Sequence, residues 1–351
     1  MTLSESVIRS FVPDITDYTV ESLGSGLIHK TLLVESGSHN YVFQGLNSHV
    51  FPDLDQVMEN IEKVTGFLRS RGEPTLTFLQ AGNGRPLMID ENEVAWRCSE
   101  LVPDTVTYDT PPSPAHLKNA ARAFAGFGKA LSTANLSLHP TIEGFHDTPQ
   151  RFQKMEAAWK AAPQDRQSVA DYYAIRHAGS GFPEFGLDGL LAPHVPQAVS
   201  HNDTKLNNCL FREGSQEVIC VIDLDTVMEG SWLLDFGDLC RTAICSSPED
   251  TDELDSITVD LDRFRALVEG YAEVLGDSIS QAEKERMVYS VFLLTYELAL
   301  RFFTDHLQED KYFGASFPEH NLVRARSQLT LALQVLNQRE AMEKIVAESF
   351  P

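Results

Sequence analysis

The chain has little positive charge. Lys and Arg total 28 against 51 Asp and Glu in 351 residues, a formal net charge of -23. Such a field repels phosphate backbones and anionic lipid, which argues against nucleic acid or a membrane surface as partner. A phosphorylated ligand would need local cations, either metal ions or a few placed Lys and Arg. Cysteine is scarce and odd in number, five residues with no C-x-x-C pair. That excludes a disulfide framework and points to buried free thiols in a reducing compartment. The longest apolar run, Met287 to Phe303, is interrupted by Glu297 and Arg301 and does not read as a bilayer span. The N-terminal MTLSESVIRSFVPD has no sustained apolar core, so no secretory signal is expected and the reading is soluble and cytoplasmic. There is no G-x-x-x-x-G-K-[ST], which sets P-loop chemistry aside, and no internal repeat or low-complexity tract.

What is present changes in texture near residue 103. Before it, short β-type segments and turns dominate: TVESLGSG, LIHKTLLVE, YVFQGL, TLTFLQ, GRPLMID and EVAWRCSELV. One helix is predicted among them over 54–70, where Val57, Ile61, Val64 and Leu68 recur at helical spacing. VPDTVTYDTPPSP then reads as a connector. Beyond it, helical periodicity is predicted around 116–135, 150–160, 165–177, 261–275, 281–306 and 320–347, broken by one β excursion over 197–227. Two lobes follow from this: 1–102, β-rich, and 103–351, mainly helical.

The β excursion opens on HNDTKLNN, residues 201–208. An octet so rich in Asn and Asp is ordinarily only a turn. Here it leads into a predicted hairpin, Cys209–Phe211 against Val218–Ile222, whose closure brings Asp203 and Asn208 toward Asp223. Two carboxylates and an amide oxygen in one pocket suit Mg²⁺, which takes hard oxygen ligands and leaves positions for substrate phosphates. His201-x-Asp203 followed by Asn208 also matches the H-x-D-x-x-x-x-N spacing of kinase catalytic loops, in which the Asp accepts the acceptor hydroxyl's proton and the Asn holds a metal. Asp223 in VIDLD, rather than Asp235 in DFGD, occupies the second metal position. Asp235 and Asp238 read as anchoring or capping residues, His201 as a brace for the loop, and Asp147 as the cap of a helix starting near Pro149.

SHNDTKLNN, VIDLDTVMEG and LLDFGDLCR together resemble the aminoglycoside phosphotransferase/choline kinase family, and within it the N-acetylhexosamine 1-kinase group. The likeness extends to LGSGLIHKT, FPDLDQVMENI, AWRCSELVPDTVTYD, LHPTIEGFHDTPQRF, RFFTDHLQEDKYF and HNLVRARSQ. It implies an α+β, protein-kinase-like fold of two lobes, with ATP and Mg²⁺ in the cleft between them. It further implies that Asp203 is the catalytic base, that Asn208 and Asp223 bind metal, and that Asp225 assists the metal or orients the acceptor. Arg301 and Tyr312 match a pair that contacts sugar in this group. Chemically, they offer a planar fork of donors and an aromatic face with a polar tip.

On the nucleotide side, Gly24 and Gly26 of LGSG suit a phosphate-facing turn. Gln44 stands where the strand lysine of kinases belongs, which leaves metal ions, backbone amides, Lys30 or Lys205 to meet the phosphates and Glu59 without its usual partner. Trp96, Glu100 and Val102 fall near the expected adenine position. Leu27 and Thr242 depart from the group, which carries a His and an aromatic residue there; both departures touch acceptor recognition. The function expected is phosphorylation of a small-molecule alcohol by ATP, best fitted by the anomeric hydroxyl of an N-acetylhexosamine or related sugar. An amino alcohol, homoserine or aminoglycoside is the alternative acceptor, and a nucleotide-binding pseudokinase the alternative of another class.

Overall fold

A computed structural model describes residues 2–24, 28–37 and 39–350. Helix α1 (Glu5–Phe11) precedes β1 (Thr19–Ser22), β2 (Lys30–Ser36) and β3 (His39–Gly45). Helix α2 (Leu54–Ser70) follows, then β4 (Met88–Ile89) and β5 (Ala95–Glu100). The five strands form one sheet in the order β1-β2-β3-β5-β4, and each neighbouring pair is antiparallel. Side chains alternate across a pleated strand. Leu32, Val34, Phe43, Trp96 and Cys98 accordingly share one apolar cluster with Val7, Ile8 and Phe11 of α1. Arg97 lies between Trp96 and Cys98, opposite Gln44 in register, so both turn to the sheet's other face.

Helix α2 spans the predicted residues. Its cap is Asp53, whose Oδ1 accepts the Gln56 N–H at 3.0 Å. Val57, Ile61, Val64 and Leu68 are buried, but in the large cluster of the helical region rather than in the sheet's own core. Asn60 on this helix donates to the carbonyls of His139 (2.8 Å) and Val227 (3.1 Å). The element that the sequence assigns to the first lobe is therefore fastened to the second.

The rest runs β6 (Thr105–Val106), α3 (Pro114–Ser132), α4 (Thr148–Ala161), α5 (Val169–Ala178), β7 (Ala198–Ser200), β8 (Cys209–Arg212), β9 (Val218–Val221) and β10 (Met228–Gly230). It ends with α6 (Trp232–Ala243), α7 (Leu261–Leu275), α8 (Gln281–Lys284), α9 (Met287–Leu307), α10 (His320–Asn337) and α11 (Arg339–Ser349). The β8–β9 hairpin forms as predicted, with Cys209 opposite Val221. Helix α9 is long and apolar enough to cross a membrane, but most of it is buried inside the protein.

Four details differ from the sequence reading. The DFGD segment lies in α6, a helix not anticipated; Gly237 lets it approach α9, because a Cβ there would stand 2.5 Å from the Ser290 carbonyl oxygen. The predicted 281–306 helix is two, since the capping box of Ser280 and Glu283 starts the short α8 and α9 begins afresh at Met287. The 320–347 stretch likewise breaks at Gln338. TLTFLQ forms no strand: it runs beside β5 through Leu79 N to Cys98 O and Glu100 N to Thr77 O, with one bridge at Phe78.

Candidate active site

The HNDTKLNN loop is held from below by Asp235. This buried carboxylate, in the first turn of α6, accepts the N–H groups of His201 at 3.0 Å and Asn202 at 2.7 Å. His201 Nε2 donates to the Ile222 carbonyl (2.9 Å), while its Nδ1 accepts the Asp203 N–H (3.3 Å). The imidazole is thus a fixed brace between the loop and the end of the hairpin. Asn202 adopts a left-handed conformation (φ +65°), and its amide donates to the carbonyls of Ser200 and Thr226. A side chain on Gly230 would collide with Asn202 Oδ1 at 2.6 Å. These bonds explain why the octet needs so many short polar residues: they leave Asp203 at the wall of a cleft of about 760 Å³.

The hairpin supplies the second half of the site. Ile222 N–H donates to the Asn208 carbonyl at 2.9 Å, which sets Asn208 beside Asp223. Asp223 is itself left-handed, φ +60°, a costly conformation for a residue with a side chain, of the kind that functional sites retain. Asn208 Nδ2 donates to the Asp203 carbonyl at 2.8 Å, which leaves its Oδ1 as an oxygen ligand. Asp203, Asn208, Asp223 and Asp225 all line the one cleft.

The charges there are unbalanced. Burial pushes Asp203 up, but the Lys205 ammonium, 2.7 Å from its Oδ1, outweighs it and holds Asp203 below the ordinary carboxylate value. Asp223 is raised by burial and by the negative charges of Asp225 and Asp203. A pocket in which a buried carboxylate is pressed by two others favours a cation. Its hard oxygen donors fit Mg²⁺ held partly by substrate phosphates. Among the described residues, no three His, Cys, Asp or Glu side chains form a self-sufficient metal cluster.

Two functional side chains escaped the sequence reading. Arg97 bridges both oxygens of Asp225, with Nη1 on Oδ1 and Nη2 on Oδ2 at 3.1 Å, while its Nε donates to Gln44 Oε1 at 2.9 Å. His29 Nδ1 accepts the Asn47 N–H at 3.1 Å, so Nε2 carries the proton and donates to Asp225 Oδ2 at 2.6 Å. Asp225 is held far below the usual carboxylate range against burial, by Arg97 first and His29 next. Arg97 thus stands opposite Gln44 on the neighbouring strand with its guanidinium committed to Asp225 and Gln44. The available signal was an Arg between the apolar Trp96 and Cys98.

The structure distributes the remaining candidates unevenly. Arg301 and Tyr312 line the cleft together, the guanidinium carbon 5.8 Å from the Tyr312 ring centre and 5.3 Å from those of Phe145 and Phe313. Gln44 also lines it; Glu100 and Val102 lie at and beyond the end of β5, outside its walls. Gly24 is left-handed (φ +74°), as a glycine turn requires, whereas Gly26 and Leu27 lie outside the described residues. Thr242 lines the cleft, its hydroxyl donating to the Leu239 carbonyl at 3.0 Å. Lys205 serves Asp203, and Glu59 pairs at the surface with Lys63 and His139. Trp96 is core, its indole N–H on Asp90 Oδ2 at 2.9 Å. Asp147 caps α4 as expected.

Residues 19–274 match the phosphotransferase enzyme family. The chain belongs to that family. Its fold is shared with solved structures at low identity. One is a microcompartment-associated aminopropanol kinase, at 15% identity and TM-score 0.67, covering 97% of this chain and 99% of the other. A second is an aminoglycoside phosphotransferase from Alicyclobacillus acidocaldarius, at 15% identity and TM-score 0.62, with coverage of 99% and 96%. A third is a choline kinase from Streptococcus pneumoniae, at 14% identity and TM-score 0.58, with coverage of 95% and 99%. This phosphotransferase thus has the kinase-like arrangement of a β-sheet region followed by a mainly helical one.

Proposed function

We propose that this phosphotransferase is an ATP-dependent small-molecule kinase whose acceptor is the anomeric hydroxyl of an N-acetylhexosamine or related sugar. The observation that carries the reading is one cleft shared by Asp203, Asn208 and Asp223 at the phosphoryl site and by Arg301 with Tyr312 at an acceptor wall. In this reading residues 1–102 hold the nucleotide, with Gln44 on the cleft wall toward it, and residues 103–351 hold the catalytic and acceptor groups. Asp203 orients the attacking hydroxyl and takes its proton. Asn208 and Asp223, assisted by Asp225, hold Mg²⁺, which when bound neutralises charge on the transferring phosphoryl group. Arg97 fixes Asp225, and the presence of Asp203, Asn208 and Asp223 together on one cleft weighs against a pseudokinase, whose motivation was the missing lysine. All five cysteines are free, which agrees with a reducing, cytoplasmic setting.

An ADP-release screen across sugars, amino alcohols and aminoglycosides tests the reading, with product NMR to locate the phosphate. Phosphate on C1 of a sugar is expected. Arg301→Ala should cost on the order of 1–3 kcal/mol in kcat/KM for the sugar and leave slow acceptor-free ATP hydrolysis unchanged. Phosphate on an amino alcohol, or on a non-anomeric hydroxyl, overturns the sugar 1-kinase reading.

A further inference from the structure

The acceptor wall of the cleft is cationic, in a protein whose overall charge is -23. Arg301 on α9 and Arg324 on α10 both line it. Arg301 is surrounded by the rings of Phe145, Tyr312 and Phe313 rather than by carboxylates. Arg324 lies over Phe302, with its guanidinium carbon 5.4 Å from the ring centre, and donates once, to Asn321 Oδ1 at 3.2 Å; its Nε has no partner. Gln328, one turn further along α10, also lines the cleft; it is only 4% exposed, and its Oε1 has no partner. Behind them, Arg151 donates to the Phe145 carbonyl at 2.9 Å, and its Nε too has no partner. Burial and the nearby Arg301 charge lower its pKa, which is what crowded guanidinium groups do to one another.

The neighbouring acids are already committed. Asp238, through Oδ1, and Glu249 bind Arg241 at 2.8 and 2.9 Å, which leaves the buried Asp238 Oδ2 without a partner. Glu297 is taken by His146 at 3.0 Å and the Thr148 hydroxyl at 2.6 Å. Asp305 accepts the N–H groups of Tyr312 and Phe313 and the amide of Asn321. Asp109, on the connector side, accepts from Asn207 at 2.9 Å. The guanidinium groups of Arg301 and Arg324 therefore keep donors that no carboxylate among the described residues satisfies. Such donors favour carbonyl, hydroxyl or carboxylate oxygens, and their charge opposes an ammonium group nearby.

We infer that the acceptor subsite selects by charge: Arg301, Arg324 and Gln328 take an oxygen-rich acceptor of zero or negative charge and reject an ammonium-bearing one. This rests on the kinase reading above and sets the protein apart from fold relatives named for aminopropanol, choline and aminoglycosides.

The test is a series on one sugar skeleton that varies only the charge: a hexosamine, its N-acetyl form and the corresponding hexuronate. Dissociation constants are measured on the full chain with Mg²⁺ and a non-hydrolysable ATP analogue, and turnover is measured separately by ADP release. The neutral or anionic sugar should bind at least ~10-fold more tightly than the ammonium form at low salt, with the gap shrinking at high salt. Arg324→Gln should narrow the gap while retaining the circular dichroism spectrum and nucleotide binding. Equal or tighter binding of the hexosamine overturns the inference, as does a gap unchanged in both Arg324→Gln and Arg301→Gln, which would make these arginines structural only. Charge-selective binding without turnover of any member would sink the kinase reading and leave the charge selection standing.

Discussion

Arg97 of β5 and Asp225 beyond β9 lie 128 positions apart in sequence and meet as a two-pronged, buried ion pair. The pair ties the sheet region to the segment after the hairpin, and His29, just before β2, adds a further bond to Asp225. Removing one member of such a pair leaves a buried charge without its partner, a larger loss than the pair's net worth. Arg97→Met should therefore destabilise the fold by about 3–5 kcal/mol in urea unfolding, and adding Asp225→Asn should recover part of that loss. Additive losses in the double variant would refute the coupling.

Asp203→Asn should keep the fold and lower turnover by at least ~10²-fold, the scale of general-base catalysis. A folded variant with near-normal ADP release would remove Asp203 from the mechanism.

Lys205 is the chief cation holding Asp203 ionised below its ordinary range. Lys205→Met should raise the Asp203 pKa, so the acidic limb of kcat/KM moves to higher pH. A limb that stays in place would mean that Asp203 does not govern it.

Asp223 and Asp235 should separate in a binding experiment. Asp223→Ala should weaken Mg²⁺-dependent ATP binding by calorimetry. Asp235→Ala, which releases the N–H groups of His201 and Asn202, should mainly lower Tm. Loss of nucleotide binding only in the Asp235 variant would reverse the assignment.

His146 places both ring nitrogens against acceptors, Glu297 Oε1 and the Asn202 carbonyl, each at 3.0 Å. Burial disfavours its charge, but Glu297 overrides this and raises the pKa above the ordinary 6.5. A raised histidine contributes stability that is complete below the unfolded value and disappears as pH rises through the folded one. Tm should therefore fall as pH rises above the ordinary imidazole value in the wild type and fall less in His146→Gln. Parallel curves for the two proteins would count against a charged His146.

The sequence by itself determined the local parts. Helical spacing marks α2, and the turn between two apolar runs marks the β8–β9 hairpin, because periodicity and turn chemistry act over a few residues. The spacing from Asp203 to Asn208, followed by the hairpin, already placed those residues beside Asp223. The interruption at Glu285 and Arg286 was not legible, because apolar residues keep their period on both sides of it. Nor was α6, whose place depends on how closely Gly237 lets it approach α9. Arg97 was legible only as an odd polar residue in a strand. Tertiary structure alone decided that the pleat turns it from the α1 core toward Gln44, and that Asp225 comes to meet it. The unpaired guanidinium groups of the acceptor wall belong to the same class: a charge is left without a partner only by what the fold assigns to its neighbours.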